Sequence, residues 1–467
     1  MFSSLIRQLF FVALVISPVL ADDRPSILVV IGDDIGWKDY GCYGHPSIRT
    51  PNIDALAAAG LKFTSAFLTT SSCSPSRISI LTGRYPHQTG AEDLHMKLPA
   101  DGVFVSSLLK NQAGYFTGHM LKTHYGPHGN RQFDWYGRNV GAFETFLDAA
   151  GDKPFFLWVG FRDAHRPYKP GAIDPPHDPK TVRVPAWLPD TSRVRKDLAL
   201  YYDEIGRIDR DIGSMVARLK ARGRFRNTLI VFLGDNGAPF PRAKGTVYDS
   251  GIGTPLIACW PARIKARGVH EGLASVIDLA PTFLDVAGVE KPGQMVGRSL
   301  RPILDDPSRP GREFIFAERN WHNADEHIRC VRTKHHKLIT TAYVSVPFGH
   351  PADCSRCPSW TALKLHQAQG RLNENQLRIF QVPRSEIELY DTAQDANEFH
   401  NLAGHPDHAD IRTRLQSALD RWRRETGDFP PTRRRRADNI DRVTGVKFTQ
   451  QIGPLVEEGK PPPLKRK

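Results

Sequence analysis

The stretch SILVVIGDD, residues 26–34, decides the fold class of this chain. Its residues 26–31 form an almost unbroken apolar run, which is typical of a β-strand buried on both faces. A second stretch of the same form, TLIVFLGDNG, occupies residues 228–237, and apolar runs also cover residues 155–161 and 256–260. Strands of this kind belong to parallel or mixed sheets that helices cover on both sides. The sequence therefore predicts an α/β fold.

A long helix and a later change of pattern complete the outline. Residues 198–219 repeat apolar side chains every three or four positions, so we expect an amphipathic helix packed on the sheet. From about residue 312 the apolar runs become shorter, at residues 336–344 and 387–390, and a helical pattern follows at residues 411–423. This change predicts a smaller C-terminal α+β subdomain that contains a short antiparallel sheet.

Length and composition agree with more than one folded unit. The 467 residues exceed the roughly 250 to 300 that one hydrophobic core supports. We therefore predict a main domain over residues 22–311, a C-terminal subdomain over residues 312–425 and a basic, proline-rich tail over residues 426–467. The hydrophobic fraction of 40% and the charged fraction of 24% are those of an ordinary folded protein.

The first 21 residues have the layout of a secretory signal peptide. Arg7 supplies a positive charge, residues 9–16 are apolar, and Val19-Leu20-Ala21 resembles a cleavage site. The alternative, a membrane anchor, needs about 20 uninterrupted apolar residues, and Pro18 and Asp22-Asp23 interrupt this segment. We expect signal cleavage, no membrane anchor afterwards, and a secreted or periplasmic protein.

The formal net charge of +13, from 63 basic and 50 acidic residues, would attract polyanions. Nucleic acid is the simplest polyanionic partner, but export argues against it, so we expect none. Basic runs at residues 433–436 and 465–467 lie in the proline-rich tail. We expect that tail to be a solvated, poorly packed extension rather than a binding domain.

The six cysteines are too few for a disulfide scaffold in a chain of this length. Cys354 and Cys357 form a C-x-x-C pair, and no second pair stands at the spacing of a zinc site. In an oxidising compartment, a local disulfide between them is a better interpretation than a metal site.

Two of the apolar runs end in oxygen ligands. The first leads into Asp33 and Asp34, and the second leads into Asp235 and Asn236. In an open α/β sheet, ligands bind in the crevice outside the carboxyl ends of the strands. Carboxylate and amide oxygens suit Ca²⁺ or Mg²⁺ better than Zn²⁺. The alternative is that these residues only form turns and helix caps.

A second informative stretch is CSPSRISILTGR, residues 73–84. Cys73 and Arg77 are four residues apart and therefore lie on one face of a helix, which Pro75 is suited to open. Gly83 is suited to end it. The N-terminal end of such a helix attracts a tetrahedral oxyanion, and an arginine adds a planar pair of donors.

The pattern C-x-P-S-R followed by L-T-G-R closely resembles the signature of the type I sulfatases, in which a maturation enzyme converts the cysteine to formylglycine. The alternative is that Cys73 is a small buried hydrophobe. The resemblance implies an alkaline-phosphatase-like mixed sheet sandwiched by helices, with the main domain as the catalytic one. It also implies that Asp33, Asp34, Asp235 and Asn236 bind Ca²⁺ or Mg²⁺, with Cys73 beside the ion as formylglycine.

Three further segments resemble sulfate-binding elements of this family. GHMLKTHYG, residues 118–126, resembles G-K-W-H-x-G, with Thr123 for the usual tryptophan, and FRDAHRP, residues 161–167, resembles the segment with the second active-site histidine. KGTVYDSG, residues 244–251, resembles K-G-x-x-Y-E-G-G, with Asp249 for glutamate. The residues that the resemblance assigns to catalysis are Cys73, Arg77, Lys122, His124, His165 and Lys244. Taken singly, each of these histidines and lysines is more often an ordinary surface or core residue.

The resemblance also assigns roles. Arg77 and Lys122 would hold the nucleophile and the sulfate. His165, assisted by Lys244, would protonate the leaving atom, and His124 would act as a base in sulfate release. Near the end of the chain, ELYD at residues 388–391, then Glu398 and NLA at residues 401–403, resembles a segment found in many sulfatases.

Within the family the chain looks most similar to the heparan N-sulfatase, or sulfamidase, branch. Residues 71–77, 184–191 and 235–241 carry that likeness, whereas Lys244 stands where arginine is expected. We therefore expect a sulfated saccharide substrate, either N-sulfated glucosamine or an O-sulfated unit of a glycan. The candidate substrate-binding residues are His95, Glu318, Trp321 and His322, three of which lie in a polar and aromatic stretch over residues 317–329. The alternative is that this stretch is a hinge.

Two other functions remain open at this point. A phosphonate or phosphate ester hydrolase of the same superfamily would use a nearly isosteric site. A catalytically silent polyanion-binding protein would not retain every expected catalytic residue. The order of the sulfatase motifs favours hydrolysis of sulfate.

Overall fold

The computed structural model describes residues 23–265 and 267–429 and, further along, residues 433, 434, 438, 456 and 457. The expected signal peptide, residues 1–21, lies outside the described residues, as does most of the expected tail. No helix in these described ranges combines the length and the apolar composition that crossing a membrane requires.

A mixed eight-stranded sheet forms the centre of the main domain. In all its sheets, the described part of the chain contains the strands β1 (Ser26–Gly32), β2 (Leu61–Phe63), β3 (Ala66–Phe67), β4 (Phe116–Leu121), β5 (Trp135–Gly137), β6 (Phe155–Gly160), β7 (Thr228–Gly234), β8 (Leu256–Cys259), β9 (Gly268–His270), β10 (Ala274–Ser275), β11 (Ile315–Arg319), β12 (Ile328–Arg332), β13 (His336–Thr341), β14 (Ile387–Asp391), β15 (Arg433–Arg434) and β16 (Val456–Glu457). The order in the main sheet is β5-β4-β6-β1-β7-β8-β2-β9. Strands β4, β5, β6, β1 and β7 are parallel, whereas β8 is antiparallel to β7 and β2.

Helices cover both faces of this sheet. The α-helices of the described residues are α1 (Pro51–Ala59), α2 (Cys73–Thr82), α3 (Val105–Ala113), α4 (Gly126–Asn130), α5 (Ala142–Ala150), α6 (Ser192–Ala221), α7 (Asp249–Ile252), α8 (Leu279–Val286), α9 (Arg301–Asp305), α10 (Pro358–Ala368), α11 (Glu374–Leu377) and α12 (Ala409–Thr426). Of these, α12 packs on the C-terminal sheet instead. Because side chains alternate along a strand, Ile27, Val29 and Ile31 of β1 face a core with α2, α3 and α8. Leu28 and Val30 face the other core with α1, α5 and α6. The predicted α/β sandwich is confirmed.

The long helix α6 extends beyond the predicted residues 198–219 at both ends. Thr191 precedes it in an extended conformation, and its side chain accepts a hydrogen bond from the backbone N–H of Val194 at 3.2 Å. This cap satisfies a donor that the first turn leaves unpaired, and it sets the start of the helix. Sequence periodicity alone gave no signal for these polar ends.

The C-terminal subdomain contains a four-stranded antiparallel sheet, β11-β12-β13-β14, as expected. On its outer face, Leu415, Leu419 and Trp422 of α12 pack against Val331 and Leu338. On its inner face, buried residues of the same strands join the first core of the main domain. The subdomain sheet is therefore covered on both sides, by α12 on one face and by the first core of the main domain on the other.

Buried ion pairs also connect helix α7 of the main domain to the subdomain sheet. Asp249, at the start of α7, accepts from Arg332 at 2.8 Å and from Lys337 at 2.6 Å. Lys337 also pairs with Glu398 at 2.7 Å. Asp249 and Glu398 both belong to segments that the sequence analysis had singled out by resemblance. Their position indicates that these segments attach the subdomain to the main domain.

The predicted disulfide between Cys354 and Cys357 is contradicted by the structure. All six cysteines fall within the described ranges and are free thiols. Cys357 is instead the N-cap of α10, because its Sγ accepts from the backbone N–H of Trp360 at 3.3 Å and lies 3.1 Å from the carbonyl oxygen of Cys354. The Cys357 thiol therefore caps the start of α10 and does not form a disulfide.

Packed structure continues past the predicted start of the tail. Asp428 is buried and accepts from Nη2 and Nε of Arg329, at 2.6 and 2.7 Å. Asp438 is buried as well, and it accepts from the backbone N–H of Asp325 at 3.0 Å. The composition of the tail did not predict these contacts.

Candidate active site

The polar residues singled out by the sequence follow four parallel strands that end at one edge of the main sheet. Asp33 and Asp34 follow β1, and Asp235 follows β7. Gly32 and Gly234 are opposite each other in the paired strands, so the residues that follow them are neighbours. Lys122 follows β4, and His165 lies just beyond β6. This is the edge where open α/β sheets bind ligands.

Four oxygen-bearing side chains form a fully buried cluster at this edge, namely Asp33, Asp34, Asp235 and Asn236. The backbone N–H of Asp34 donates to Asp235 Oδ1 at 3.1 Å, and the side-chain amide of Asn236 donates to Asp34 Oδ1. Asp34 has a φ of 62°, in the left-handed region, which turns its carboxylate into the cluster. Asn236 Oδ1 is buried and has no hydrogen-bond partner within the described part of the chain.

Helix α2 brings Cys73 to the cluster. The helix begins at Cys73 itself, with Pro75 in its first turn, and Gly83 ends it with a left-handed φ of 64°. The sulfur lies 3.7 Å from Asp33 Oδ1 and 3.8 Å from Asp34 Oδ1. Burial raises the pKa of the Cys73 thiol well above its usual value. An unmodified thiol at this position is therefore protonated and weakly nucleophilic.

Arg77, one turn along α2, is completely buried beneath the cluster. Its Nε donates to Asp235 Oδ2 at 2.7 Å, and its Nη1 donates to the backbone oxygen of Lys122 at 3.0 Å. Its Nη2 lies 3.8 Å from Asp33 Oδ1 and makes no hydrogen bond among the described residues. The N–H donors of Nη2 thus remain for another acceptor.

Two lysines pair with the carboxylates of the cluster. Lys122 pairs with Asp33 Oδ2, and 16% of its side chain is exposed. Lys244 is buried and bridges two carboxylates, at 2.7 Å from Asp34 Oδ2 and 2.5 Å from Asp353 Oδ2. The cations therefore surround the cluster without filling it.

The three carboxylates have different pKa values because their charge partners differ. Burial alone would raise the pKa of Asp33, but the positive charges of Lys122 and Arg77 hold it well below its usual value. Burial raises the pKa of Asp34 despite Lys244, and it raises that of Asp235 to about 6 despite Arg77. Burial therefore outweighs the neighbouring cations at Asp34 and Asp235, and a further positive charge at the cluster would favour their ionised forms.

The geometry fits a hard divalent cation. Ligand atoms of Asp33, Asp34 and Cys73 lie within 4.8 Å of one another, and the unpartnered oxygen of Asn236 adds a fourth donor. Carboxylate and amide oxygens are the ligands that Ca²⁺ and Mg²⁺ prefer.

Two histidines stand at the open side of the site. His124 Nε2 lies 2.7 Å from His95 Nδ1, and burial, together with Lys122, lowers the pKa of His124 to about 3. The His124 ring is therefore neutral at physiological pH. His165 Nδ1 donates to the carbonyl oxygen of Arg166 at 2.6 Å, because a carbonyl can only accept. Its Nε2 then faces the site, with 38% of the side chain exposed.

Three of the four candidate substrate-binding residues lie near Cys73. Trp321 packs against it, and His322 Nδ1 lies 2.9 Å from the hydroxyl of Ser72. The backbone N–H of His95 donates to Ser74 Oγ at 2.8 Å.

Glu318 has a different environment. Its carboxylate is fully buried, and its two oxygens accept from the backbone N–H and from Nδ1 of His87, at 2.7 and 2.5 Å. No oxygen remains exposed for a saccharide. Some of the polar residues around position 318 therefore pair with other buried residues, as Glu318 does with His87, and others lie near Cys73.

Asp353 was missed by the sequence analysis. It lies in a loop between β13 and α10, 109 residues after the lysine it contacts. No motif marks it. Only the neighbouring C-x-x-C pair drew attention to this loop, and that pair suggested a disulfide.

The sequence matches the family model described as Sulfatase over residues 25–146 and 139–289. The chain belongs to the sulfatase family. A second model, described as N-sulphoglucosamine sulphohydrolase, C-terminal, matches residues 242–347. The family membership predicted from the motif around Cys73, and the likeness to the sulfamidase branch, are confirmed. This protein is a sulfatase, which hydrolyses sulfate esters or N-sulfates, and its family implies a divalent metal and a formylglycine.

A sequence relative supports the same assignment. The sulfatase is 32% identical over 461 residues to N-sulphoglucosamine sulphohydrolase of Homo sapiens, which covers 87% of this chain and 91% of the relative.

Solved structures share the fold. One, described as a complex with its substrate D-glucosamine-2-N,6-O-disulfate, has a TM-score of 0.67 at 21% identity, covering 87% of this sulfatase and 99% of that chain. The phosphonate monoester hydrolase of Agrobacterium radiobacter also has a TM-score of 0.67, at 19% identity, covering 86% and 96%. The alkaline-phosphatase-like fold is therefore confirmed.

Proposed function

We propose that this sulfatase releases sulfate from a sulfated saccharide, with N-sulfated glucosamine as the first candidate and an O-sulfated sugar as the second. The observation that supports this most is the convergence of Cys73, the buried oxygen cluster and the basic side chains at one sheet edge. The name of the human relative and the ligand named for the solved structure favour glucosamine.

We also propose that Cys73 is matured to formylglycine. A buried thiol with a raised pKa is a poor nucleophile, whereas a hydrated aldehyde offers one hydroxyl to attack sulfur and a second whose deprotonation allows sulfate to leave. A formylglycine-generating enzyme is the maturation partner that this proposal requires. The motif that such an enzyme would read includes Pro75 and Arg77.

The proposed metal ligands are Asp33, Asp34, Asp235 and Asn236, with residue 73 beside them, and the proposed ion is Ca²⁺, with Mg²⁺ as the alternative. Such an ion would polarise the sulfate oxygens and favour ionisation of the attacking hydroxyl. The unpartnered oxygen of Asn236 is the feature of this chain that fits it best.

Arg77 and Lys122 would hold the reacting groups. Nη2 of Arg77 makes no hydrogen bond among the described residues, and Lys122 is partly exposed beside Asp33. Both carry fixed positive charge at the point where charge develops on the sulfuryl oxygens, and in a buried site such charges stabilise a transition state strongly.

His165 and Lys244 would act on the leaving atom, and His124 would accept a proton during sulfate release. His165 presents Nε2 to the site, and both Nε2 and Lys244 Nζ lie beside Asp353 Oδ2, at 3.8 and 2.5 Å. The ring of His124 is neutral, so one of its two nitrogens carries a lone pair that can take a proton, and Nδ1 has no hydrogen-bond partner among the described residues.

Substrate selectivity is proposed to depend on His95, Trp321 and His322, whereas Glu318 is proposed to hold His87. A His322→Ala variant should change the ratio of kcat/KM between N-sulfated and O-sulfated glucosamine. A Glu318→Gln variant should change stability more than that ratio. If the His322→Ala variant keeps the wild-type selectivity, the stretch over residues 317–329 has a structural role and does not select the substrate.

Sulfate release from defined saccharides tests the proposed function. N-sulfated glucosamine, 6-O-sulfated glucosamine and a phosphate monoester of the same sugar would be compared with the purified protein and with its Cys73→Ala variant. We expect release from at least one sulfated sugar by the wild type alone. Faster turnover of phosphate or phosphonate esters than of every sulfate would favour the phosphonate hydrolase reading, which the likeness of fold alone suggests.

Export is proposed from the layout of residues 1–21. N-terminal sequencing of the protein from its own host should begin at residue 22. A chain that retains residue 1 in the cytoplasm would contradict this proposal.

A further inference from the structure

The carboxylate of Asp353, which belongs to no motif, lies beside His165 and Lys244, the two residues proposed to act on the leaving atom. Asp353 Oδ2 lies 2.5 Å from Lys244 Nζ and 3.8 Å from His165 Nε2. The other oxygen, Oδ1, accepts from the backbone N–H of Cys354 at 3.0 Å. The carboxylate is therefore held by its own backbone on one side and faces two basic side chains on the other.

The loop that carries Asp353 is fixed at both ends. The backbone N–H of Ala352 donates to Asn323 Oδ1 at 3.0 Å, on the stretch that contains the candidate substrate residues. After the loop, Cys357 caps α10, and Ser359 in the first turn of that helix donates to Asp197 at 2.7 Å. These contacts leave little freedom for the carboxylate between them.

The loop also fits closely against the residue after Lys244. Gly245 has a φ of +85°, and a Cβ added there would lie 2.7 Å from Pro351 Cγ. The absence of a side chain at position 245 lets the two backbones approach. Lys244 and Asp353 are thus placed against each other by the main chain as well as by their charges.

The position of Lys244 between Asp34 and Asp353 fixes the orientation of its ammonium group. An ammonium group carries three N–H donors, and the described residues supply two carboxylate partners, Asp34 and Asp353. Two fixed partners determine the direction of the third N–H. His165 Nδ1 donates to the carbonyl oxygen of Arg166, so Nε2 is the ring nitrogen that faces Asp353, 3.8 Å from its Oδ2.

We propose that Asp353 is a positioning residue that aligns Lys244 and His165 on the atom that leaves with the broken sulfate bond. This inference rests on the proposed function, in which those two groups act on that atom. In the step, the oxygen of an attacking hydroxyl bonds to sulfur while its proton passes to a carboxylate of the buried cluster, and the bond from sulfur to the leaving oxygen or nitrogen breaks. His165 enters the step as the imidazolium, with a proton on each ring nitrogen. The electron pair of the broken bond stays on the leaving atom, which takes the Nε2 proton and leaves His165 neutral, with its Nδ1–H donating to the Arg166 carbonyl. Asp353 exchanges no proton.

Dependence on the leaving group distinguishes this role from a structural one. Sugar alcohols and amines leave poorly without protonation, whereas 4-nitrophenolate leaves well without it. General acid assistance contributes about 10²- to 10⁴-fold to such steps. Asp353→Asn should therefore lower kcat by about a hundredfold for poor leaving groups and by only a few-fold for 4-nitrophenyl sulfate.

The experiment measures kcat and KM for a series of aryl sulfates with increasingly basic phenols, in wild type, Asp353→Asn and Asp353→Glu. Asp407→Asn, at a carboxylate that is 83% exposed, is the matched control. We expect kcat to fall steeply as the phenol becomes more basic only in Asp353→Asn. In the wild type this dependence should be shallow, and Asp353→Glu should restore much of the wild-type dependence. Thermal melting of each variant separates this effect from loss of fold.

An equal loss across the series, or no loss, would overturn the positioning role. The proposed function does not depend on that outcome, since it is tested by sulfate release from saccharides by the wild type.

Discussion

Lys337→Met is expected to destabilise the protein strongly, because Lys337 is the buried cation between two carboxylates where helix α7 meets the subdomain sheet. Its ammonium lies 2.6 Å from Asp249 Oδ1 and 2.7 Å from Glu398 Oε1, and its side chain is 0% exposed. Breaking a buried pair by removing one partner costs about 3 to 5 kcal/mol. Asp249 would keep Arg332 at 2.8 Å, so we expect about 3 kcal/mol, the lower end of that range.

The size of this effect should depend on pH. Burial, despite Lys337, raises the pKa of Glu398 above its usual value. A group with a raised pKa in the folded state gives its full stability below its unfolded pKa and loses it as pH rises through the folded pKa. Removing Lys337 raises the folded pKa further. The loss of stability caused by Lys337→Met should therefore be largest at neutral and alkaline pH and smaller at acidic pH, because protonation of Glu398 removes the unpaired charge.

Urea unfolding, followed by tryptophan fluorescence at pH 7.5 and pH 5, measures the deficit. Lys334→Met is the matched control, since Lys334 pairs with Glu271 at 3.4 Å and both side chains are more than half exposed. Such a surface pair contributes about 0 to 1 kcal/mol. A Lys337→Met midpoint equal to that of the control at pH 7.5, or a deficit that grows at pH 5, would refute this reasoning.

Three further predictions concern the site. Asp235→Ala should abolish sulfate release while far-UV circular dichroism stays unchanged, and retained turnover would remove this carboxylate from the mechanism. Treatment with a chelator should abolish turnover, and Ca²⁺ or Mg²⁺ should restore it; full activity in metal-depleted protein would contradict the metal site. Gly245→Ala should lower both melting temperature and kcat, because its Cβ would meet Pro351 at 2.7 Å. Gly44→Ala, at the same φ of +85° but with nothing within 4 Å, should cost only the backbone strain of about 1 to 2 kcal/mol; equal effects of the two changes would show that the contact is unimportant.

The sequence predicted those parts of the site that follow from strand geometry. Asp33, Asp34, Asp235 and Asn236 could be placed together because each pair follows an apolar run, and parallel strands bring their carboxyl ends to one edge. The helix at Cys73 was also predictable, since its proline and its terminal glycine lie within ten residues of the cysteine.

Other parts of the site depend on contacts between distant residues. Asp353 reaches Lys244 through a loop with no periodic pattern, so local sequence gave no signal for it. Glu318 appeared to be a substrate residue because the stretch around it is polar, but its partner, His87, lies 231 residues earlier. Cys357 suggested a disulfide by its spacing from Cys354, and the choice between a cap and a disulfide depends on where α10 begins.

The central claim, that this sulfatase acts through formylglycine at position 73, is tested most directly by mass spectrometry of the peptide containing Cys73 from active enzyme made in its own host. The account predicts a peptide that has lost one sulfur and two hydrogens and gained one oxygen, in a fraction that tracks specific activity between preparations. Fully active enzyme in which residue 73 is entirely a free thiol would contradict the account.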